Sequence, residues 1–326
     1  MPIIAAPQDL LESEVYIDLE RMLGRKMYMK TEGLNFGGSI KLRSAVGMVA
    51  AAERDGLIRS DSIIVESSSG NLGIALSVVA ADKKLRFRCV TDARCNAATI
   101  LVMRAFGAEV ETVTEPHPTG GLLQARLDRV RELCANDPRY VWLDQYGNPA
   151  NWNAHYETTA PEIAKHVPDL TVLFVGVGTG GTAIGCARYF RDTMKDVRVV
   201  AVDAAGSVTF GTPAAPRHIP GLGAGVRPPL VDPGLFDDIV HVGEMDTISA
   251  CRLMSRHGFL FGGSSGTVLS GAVSWLRRHD PERRHRAVLV APDMGERYID
   301  TIYSDAWVQE RFGRPVPPFV LEEDPS

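Results

Sequence analysis

Lys41 follows Gly37, Gly38 and Ser39 in EGLNFGGSIKLRSA (32–45) and lies just inside a helical stretch. An ammonium near several glycines and a positive helix end is destabilised. A free amine or an imine forms there more readily. Read locally, the same lysine beside Arg43 is a solvated surface residue.

Three further stretches carry small polar residues from an apolar segment into a helix. In ESSSGNLGIAL (66–76) a strand ends at Glu66, and Ser68, Ser69, Gly70 and Asn71 lead into the helix. Helix N-termini present unpaired N–H groups and a positive dipole end, so they hold carboxylates and phosphates. An ordinary Ser/Asn cap is the plainer reading. In FVGVGTGGTAIG (174–185), Gly176, Gly178 and Gly181 fit G-x-G-x-x-G, and Asp203 follows about 20 residues on. That is a dinucleotide fingerprint, and an NAD-dependent dehydrogenase is one hypothesis. The same loop would cradle a single phosphate through its backbone, with Thr179 and Thr182 adding hydroxyls; a tight turn with no ligand stays open. In LFGGSSGTVLSG (260–271), Ser264 or Ser265 could donate to a ligand atom or simply cap the helix.

The combination says more than any part. A lysine amine, a phosphate cradle and a hydroxyl donor are what pyridoxal phosphate needs. The lysine forms the Schiff base and the glycine loop takes the phosphate. A serine at the pyridine nitrogen keeps that nitrogen weakly basic, which suits eliminations at Cβ.

The elements that must position these residues alternate. Apolar, β-branched runs at 62–66, 86–92, 108–113, 171–178, 197–203 and 287–293 predict strands. Helices are predicted over 39–55, 71–82, 96–106, 120–136, 155–166, 181–194, 246–257 and 266–279. Runs such as TVLFVG and AVLVAP are apolar on both faces, as buried parallel strands are. The pattern predicts an α/β fold with mostly parallel sheets. Segment 204–235 is rich in Gly and Pro and reads as a long irregular excursion; the tail VLEEDPS reads as frayed.

Composition narrows the function classes. The chain has 326 residues, 45% of them hydrophobic and 23% charged, with a formal net charge of −5. Two lobes or one large domain are expected, and wholesale disorder is excluded. Mild acidity with interspersed signs gives no electrostatic footprint for nucleic acid or anionic lipid. The five cysteines are widely spaced with no C-x-x-C pair, so no metal site is expected and a reducing, cytoplasmic compartment is. The N-terminus lacks a basic region followed by a long apolar run, so no signal peptide is expected, and no stretch approaches a membrane span.

At this point the chain resembles the fold-type II pyridoxal-phosphate enzymes of the cysteine synthase/cystathionine β-synthase family, over roughly residues 20–310. The marks are N-F-G-G-S-I-K around Lys41, S-S-G-N (68–71), Q-Y-G-N-P-A-N (145–151), G-T-G-G-T (178–182) and G-G-S-S-G (262–266). Further features look like one branch: EPHPTGGLLQARL (115–127), DAAGSVTFG (203–211), HIPGLGAG (218–225) and PDMGERYIDTIYSDAW (292–307). That branch joins O-phospho-L-serine to L-glutamate, giving a precursor of L-2,3-diaminopropionate for siderophore or antibiotic biosynthesis.

The resemblance implies pyridoxal 5'-phosphate as cofactor and two lobes, each a mostly parallel twisted sheet flanked by helices. A large cofactor-binding domain would comprise 1–37 plus 144–326; a smaller one, 38–143, would carry Lys41. Lys41 would be the Schiff-base lysine and proton carrier at Cα. Asn71 would bond the pyridine 3′-oxygen. Gly178, Thr179, Gly180, Gly181 and Thr182 would hold the phosphate, and Ser264 would face the pyridine nitrogen. Ser68, Ser69, Gly70 and Gln145 would receive the substrate α-carboxylate. Arg126 and Tyr146 would lie near the leaving phosphate; Arg126 read locally is a surface charge. Arg217 and Arg227 are candidates for the distal carboxylate of glutamate. The sequence departs from the family at Phe36, commonly Pro, and at Leu42, commonly Asp. A cytoplasmic homodimer is implied, with a mobile segment at 92–121. The rivals are a cysteine synthase using O-acetylserine or O-phosphoserine with sulfide, the NAD-dependent dehydrogenase, and a catalytically silent scaffold.

Overall fold

The computed structural model describes residues 3–11 and 15–320; the expected frayed tail lies, beyond Val320, outside the described residues. After a 3₁₀ turn at Pro7–Leu10 come β1 (Tyr16–Asp18), α1 (Glu20–Leu23) and β2 (Met27–Thr31). Then follow α2 (Lys41–Arg54), β3 (Ile63–Ser67), α3 (Asn71–Lys83), β4 (Arg86–Asp92), α4 (Ala97–Ala105), β5 (Glu109–Val113), α5 (Gly121–Asn136) and β6 (Tyr140–Trp142). The second half comprises α6 (Pro149–Glu157), α7 (Thr159–His166), β7 (Val172–Gly176), α8 (Gly181–Thr193), β8 (Arg198–Ala204) and β9 (Asp238–Val242). It ends with α9 (Glu244–Arg256), α10 (Gly263–His279), β10 (Ala287–Ala291) and α11 (Asp305–Phe312).

Two compact units result: Met1–Ser13 with Leu34–Ala154, and Glu14–Gly33 with His155–Ser326. The division thus changes at 13–14, at 33–34 and within α6 at 154–155, where the expectation was 1–37 plus 144–326 against 38–143.

The first unit holds a four-stranded, all-parallel sheet of order β5-β4-β3-β6. Its core gathers Leu42, Met48 and Val49 of α2 with Ile64, Ile74, Leu76, Phe87 and Met103. Residues Leu72 to Ala80 of α3 are buried without a break, so this helix is apolar all round, as an enclosed helix must be. Leu42, where the family commonly has Asp, is a fully buried core residue. Phe36 is 54% exposed.

The second unit holds a six-stranded sheet of order β1-β2-β10-β7-β8-β9, parallel except for β1 on its edge. All of β7 and β10 is buried, which is why their sequences show no alternation. Trp275 of α10 packs edge-on against Phe174 of β7, ring centres 5.6 Å apart.

Each of the six predicted strands is present. The short strands β1, β2, β6 and β9 are additional. MYMKT of β2 lacks β-branched residues until Thr31 and carries Lys30 into a fully buried position. That ammonium is matched by Glu32 at 3.1 Å and Glu162 at 2.8 Å. The predicted helix over 155–166 is two helices: α6 opens earlier, at Pro149, whose ring presets the first helical φ. Between Ala204 and Asp238 only a single 3₁₀ turn, Pro233–Leu235, interrupts irregular chain, as the Gly/Pro content predicts.

Candidate functional site

In the first unit the candidate residues collect at the carboxyl ends of β3 and β6, where ligands of parallel sheets bind. Asn35 shapes the turn before Lys41: its Oδ1 accepts from the Gly37 amide at 2.9 Å and its Nδ2 donates to the Ser39 carbonyl at 3.0 Å. Gly38 takes φ +65°, which a side chain would resist. Lys41 is then the first residue of α2 and is half-buried. Its neighbour Arg43 is buried and donates to the Leu11 carbonyl at 2.7 Å, so the reading of this pair as a solvated surface is corrected.

Asn71 opens α3 and does not cap it. The capping is done by Ser68, whose Oγ accepts from the Gly73 amide at 3.0 Å and from Gly70 at 3.3 Å. With its oxygen so engaged, the Ser68 hydroxyl proton is what it can offer a ligand. A Cβ built on Gly70 would meet nothing within 4 Å, so this turn borders open space. Because β6 pairs with β3, Gln145 comes beside the turn, and its side-chain amide donates to the Ser67 carbonyl at 2.8 Å. One N–H of that amide remains.

Arg126 is not a surface charge: it is 7% exposed, and its Nε lies 3.0 Å from Asp92 Oδ2 at the end of β4. Tyr146 lies in the same electrostatic neighbourhood. Burial pushes its phenol up, and the Arg126 charge acts against that.

In the second unit, β7 ends at Gly176 and the turn 177–180 delivers the chain to α8. Gly180 has φ +99°. A Cβ on Gly178 would lie 2.8 Å from the Gly221 carbonyl oxygen. At Gly178 and Gly180 this turn therefore has room for backbone only. Thr179 and Thr182 are buried, and Thr182 Oγ1 lies 3.3 Å from His155 Nε2. His155 is fully buried, with Nδ1 2.9 Å from Thr159 Oγ1. Sequence reading overlooked His155; its pairing with a threonine 27 residues on leaves no periodic signal.

Ser264 lies in the first turn of α10, which starts at Gly263 and not near 266 as predicted. The Thr267 hydroxyl bonds the Gly263 carbonyl at 3.0 Å and draws the glycines into the helix. Gly221, at φ +111°, passes so close that a Cβ there would sit 2.2 Å from Ser264 Oγ. Asp203, which a dinucleotide would require for its ribose, is fully buried, and its Oδ1 accepts from the Ala204 amide at 2.8 Å. Arg217 and Arg227 reach loop carbonyls, those of Leu222 and Val231.

The residues of each unit, taken by itself, suit one part of a pyridoxal phosphate. The turn 178–181 is a glycine-rich cradle running into a helix N-terminus, with the buried hydroxyls of Thr179 within it and Thr182 just after it. Ser264 is a buried hydroxyl that the backbone of Gly221 passes closely. Lys41 supplies an amine at a helix start.

Comparison with known proteins agrees. Residues 15–293 match the family model described as pyridoxal-phosphate dependent enzyme. The N-(2-amino-2-carboxyethyl)-L-glutamate synthase of Ralstonia nicotianae is 41% identical over 305 residues, covering 92% of this chain and 90% of that protein. The synthase of the same name from Cupriavidus metallidurans is 40% identical over 298 residues, covering 90% and 87%. The crystal structure of an O-acetylserine dependent cystathionine β-synthase from Helicobacter pylori superposes with a TM-score of 0.84 at 29% identity, over 93% of this chain and 100% of that one. The fold is that of the fold-type II enzymes, and the cofactor is pyridoxal 5'-phosphate, which displaces the dehydrogenase hypothesis. This chain belongs to the pyridoxal-phosphate dependent enzyme family.

Proposed function

We propose that this enzyme carries out a β-replacement joining O-phospho-L-serine and L-glutamate to give N-(2-amino-2-carboxyethyl)-L-glutamate and phosphate. The observation that carries the reading is the near full-length similarity to two synthases of that name. The buried Arg126 adds support, because a guanidinium inside the smaller unit suits a phosphate leaving group through its bidentate fork.

Bound pyridoxal phosphate supplies the electron sink that lets a proton leave the amino-acid Cα. Lys41 would hold the cofactor carbonyl at rest, and its amine would take and return the Cα proton. Ser68, Ser69, Gly70 and the remaining N–H of Gln145 would receive the α-carboxylate. Asn71 would bond the ring 3′-oxygen, Gly178 to Thr182 would hold the cofactor phosphate, and Ser264 would face the ring nitrogen. Arg126 and Tyr146 would serve the departing phosphate. The Cβ–O bond breaks as phosphate leaves with its electron pair. The glutamate nitrogen then bonds Cβ and gives up one proton.

We also propose a cytoplasmic homodimer. All five cysteines are free thiols, in keeping with a reducing compartment, and no helix among the described residues is long and apolar enough to cross a membrane.

Mass spectrometry of the products formed from O-phospho-L-serine and L-glutamate tests the reaction. The expected product contains both carbon skeletons and appears with one equivalent of phosphate. Preferred turnover of sulfide over glutamate overturns the assignment of the nucleophile, and light scattering of the purified protein tests the dimer.

A further inference from the structure

Glu66, the penultimate residue of β3, is fully buried. Its Oε1 accepts from the Ser67 amide at 2.8 Å and from the Trp142 indole N–H at 3.3 Å. Its Oε2 accepts from the Gln145 amide at 3.2 Å. The Gln145 side chain donates back to the Ser67 carbonyl at 2.8 Å, and Asn151 Nδ2 donates to the Gln145 carbonyl at 2.7 Å. One carboxyl group thus joins the chain leaving β3 to the chain leaving β6, and the bonds between Glu66, Ser67 and Gln145 close a ring. Burying a carboxyl is costly unless donors meet it. Here three N–H groups meet it, and all three belong to the segments that border the Gly70 opening.

We propose that Glu66 is the positioning residue of the substrate-carboxylate loop: it sets Ser67 and Gln145 at a fixed separation, so that the donors of residues 68–70 and of Gln145 aim at one carboxylate. The proposal rests on the reading of those residues as the α-carboxylate receivers. Glu66 acts through them and does not touch substrate.

The chemistry of the group suits the task. Burial pushes the Glu66 carboxyl up to about 8, while its N–H donors act against that. Asp144 faces it and raises it further; Tyr146, Cys89 and Cys134 also face it. At neutral pH Glu66 is then a neutral acid and does not repel an incoming carboxylate. An ionised group in the same place would accept those N–H bonds more strongly but would oppose the ligand.

The test compares wild type, Glu66→Gln and Ser69→Ala. In the cofactor-loaded proteins, the visible absorption change on adding L-alanine reports binding of an amine with an α-carboxylate. Ethylamine reports the amine alone. In the cofactor-free proteins, amide hydrogen exchange is followed at residues 67 and 145. Glutamine keeps an acceptor for the Ser67 amide and turns an NH₂ toward the Gln145 amide. L-Alanine binding is therefore expected to weaken about five- to tenfold, the equivalent of one lost hydrogen bond, with ethylamine binding unchanged. Exchange should quicken at Gln145 and stay unchanged at Ser67. If Glu66→Gln fails to fold, Trp142→Phe removes one donor only, and about a twofold weakening of L-alanine alone is expected. Equal weakening of both ligands, or unchanged binding of L-alanine, overturns the proposal. Weakening in Ser69→Ala without weakening in Glu66→Gln overturns the role of Glu66 and leaves the carboxylate loop standing. No weakening in either overturns both.

Discussion

Arg126 Nε lies 3.0 Å from Asp92 Oδ2, with side chains only 8% and 6% exposed, although the two residues come from different elements, α5 and β4. A buried ion pair is a poor source of stability but is costly to break, because the surviving charge has no partner. Arg126→Ala should therefore destabilise the protein by about 3–5 kcal/mol and depress turnover of O-phospho-L-serine. The double variant Arg126→Met with Asp92→Leu should recover most of the stability and none of the turnover. Thermal melts and steady-state rates on the same preparations check this; recovery of turnover in the double variant would exclude Arg126 from the leaving-group site.

Lys41 begins α2 with its side chain half-buried, and alanine is at least as good a helix former at that position. Lys41→Ala should leave the melting temperature nearly unchanged. It should also abolish the visible band near ~410 nm that a lysine-bound pyridoxal phosphate gives, together with turnover. An absorption spectrum settles the point, and an unaltered band sinks the lysine assignment.

Gly221 approaches Ser264 too closely to carry a side chain, and its φ of +111° disfavours one in any case. Gly221→Ala should strain the loop by about 1–3 kcal/mol and push Ser264 aside. Cofactor affinity, read by titrating cofactor-free protein with pyridoxal phosphate, should fall about tenfold or more. An unchanged affinity would separate Ser264 from the ring.

Burial raises the Glu66 carboxyl from its ordinary 4.5 to about 8. In that interval the folded protein holds a proton that the unfolded chain has lost. The stability contribution of Glu66 is therefore fully present below pH 4.5 and is lost as pH rises through 8, on the order of a few kcal/mol in all. Melts of wild type from pH 6 to pH 9 should fall more steeply than those of Glu66→Gln. Parallel curves would show that Glu66 does not titrate there.

Much of this protein is legible in its sequence, and the reason is that the signals are local. A doubly apolar strand run, a Gly/Ser turn and a helix start are short-range constraints, and they identify β3, β4, β7, β8 and β10 and the turns that follow β3 and β7. Lys41 at the head of α2 and the glycine-rich 178–181 turn are read the same way, because φ and steric room act within a few residues. Short elements such as β2 and β6 escape because their stability comes from neighbours and not from their own residues.

Which distant residues meet is set by packing and leaves no local trace. The helical spacing of Leu122, Leu127 and Val130 cannot say that Arg126 turns inward, since its partner Asp92 is 34 residues earlier, at the end of another strand. The order β5-β4-β3-β6 sets the chain after β6 beside the chain after β3, and so brings Gln145 to Glu66 across 79 residues. Strand order is a long-range pairing with no periodic trace in the chain. The candidate chemical groups and their local turns are therefore written in the order of residues, whereas the packing of strands makes a buried acid fasten two of those turns together.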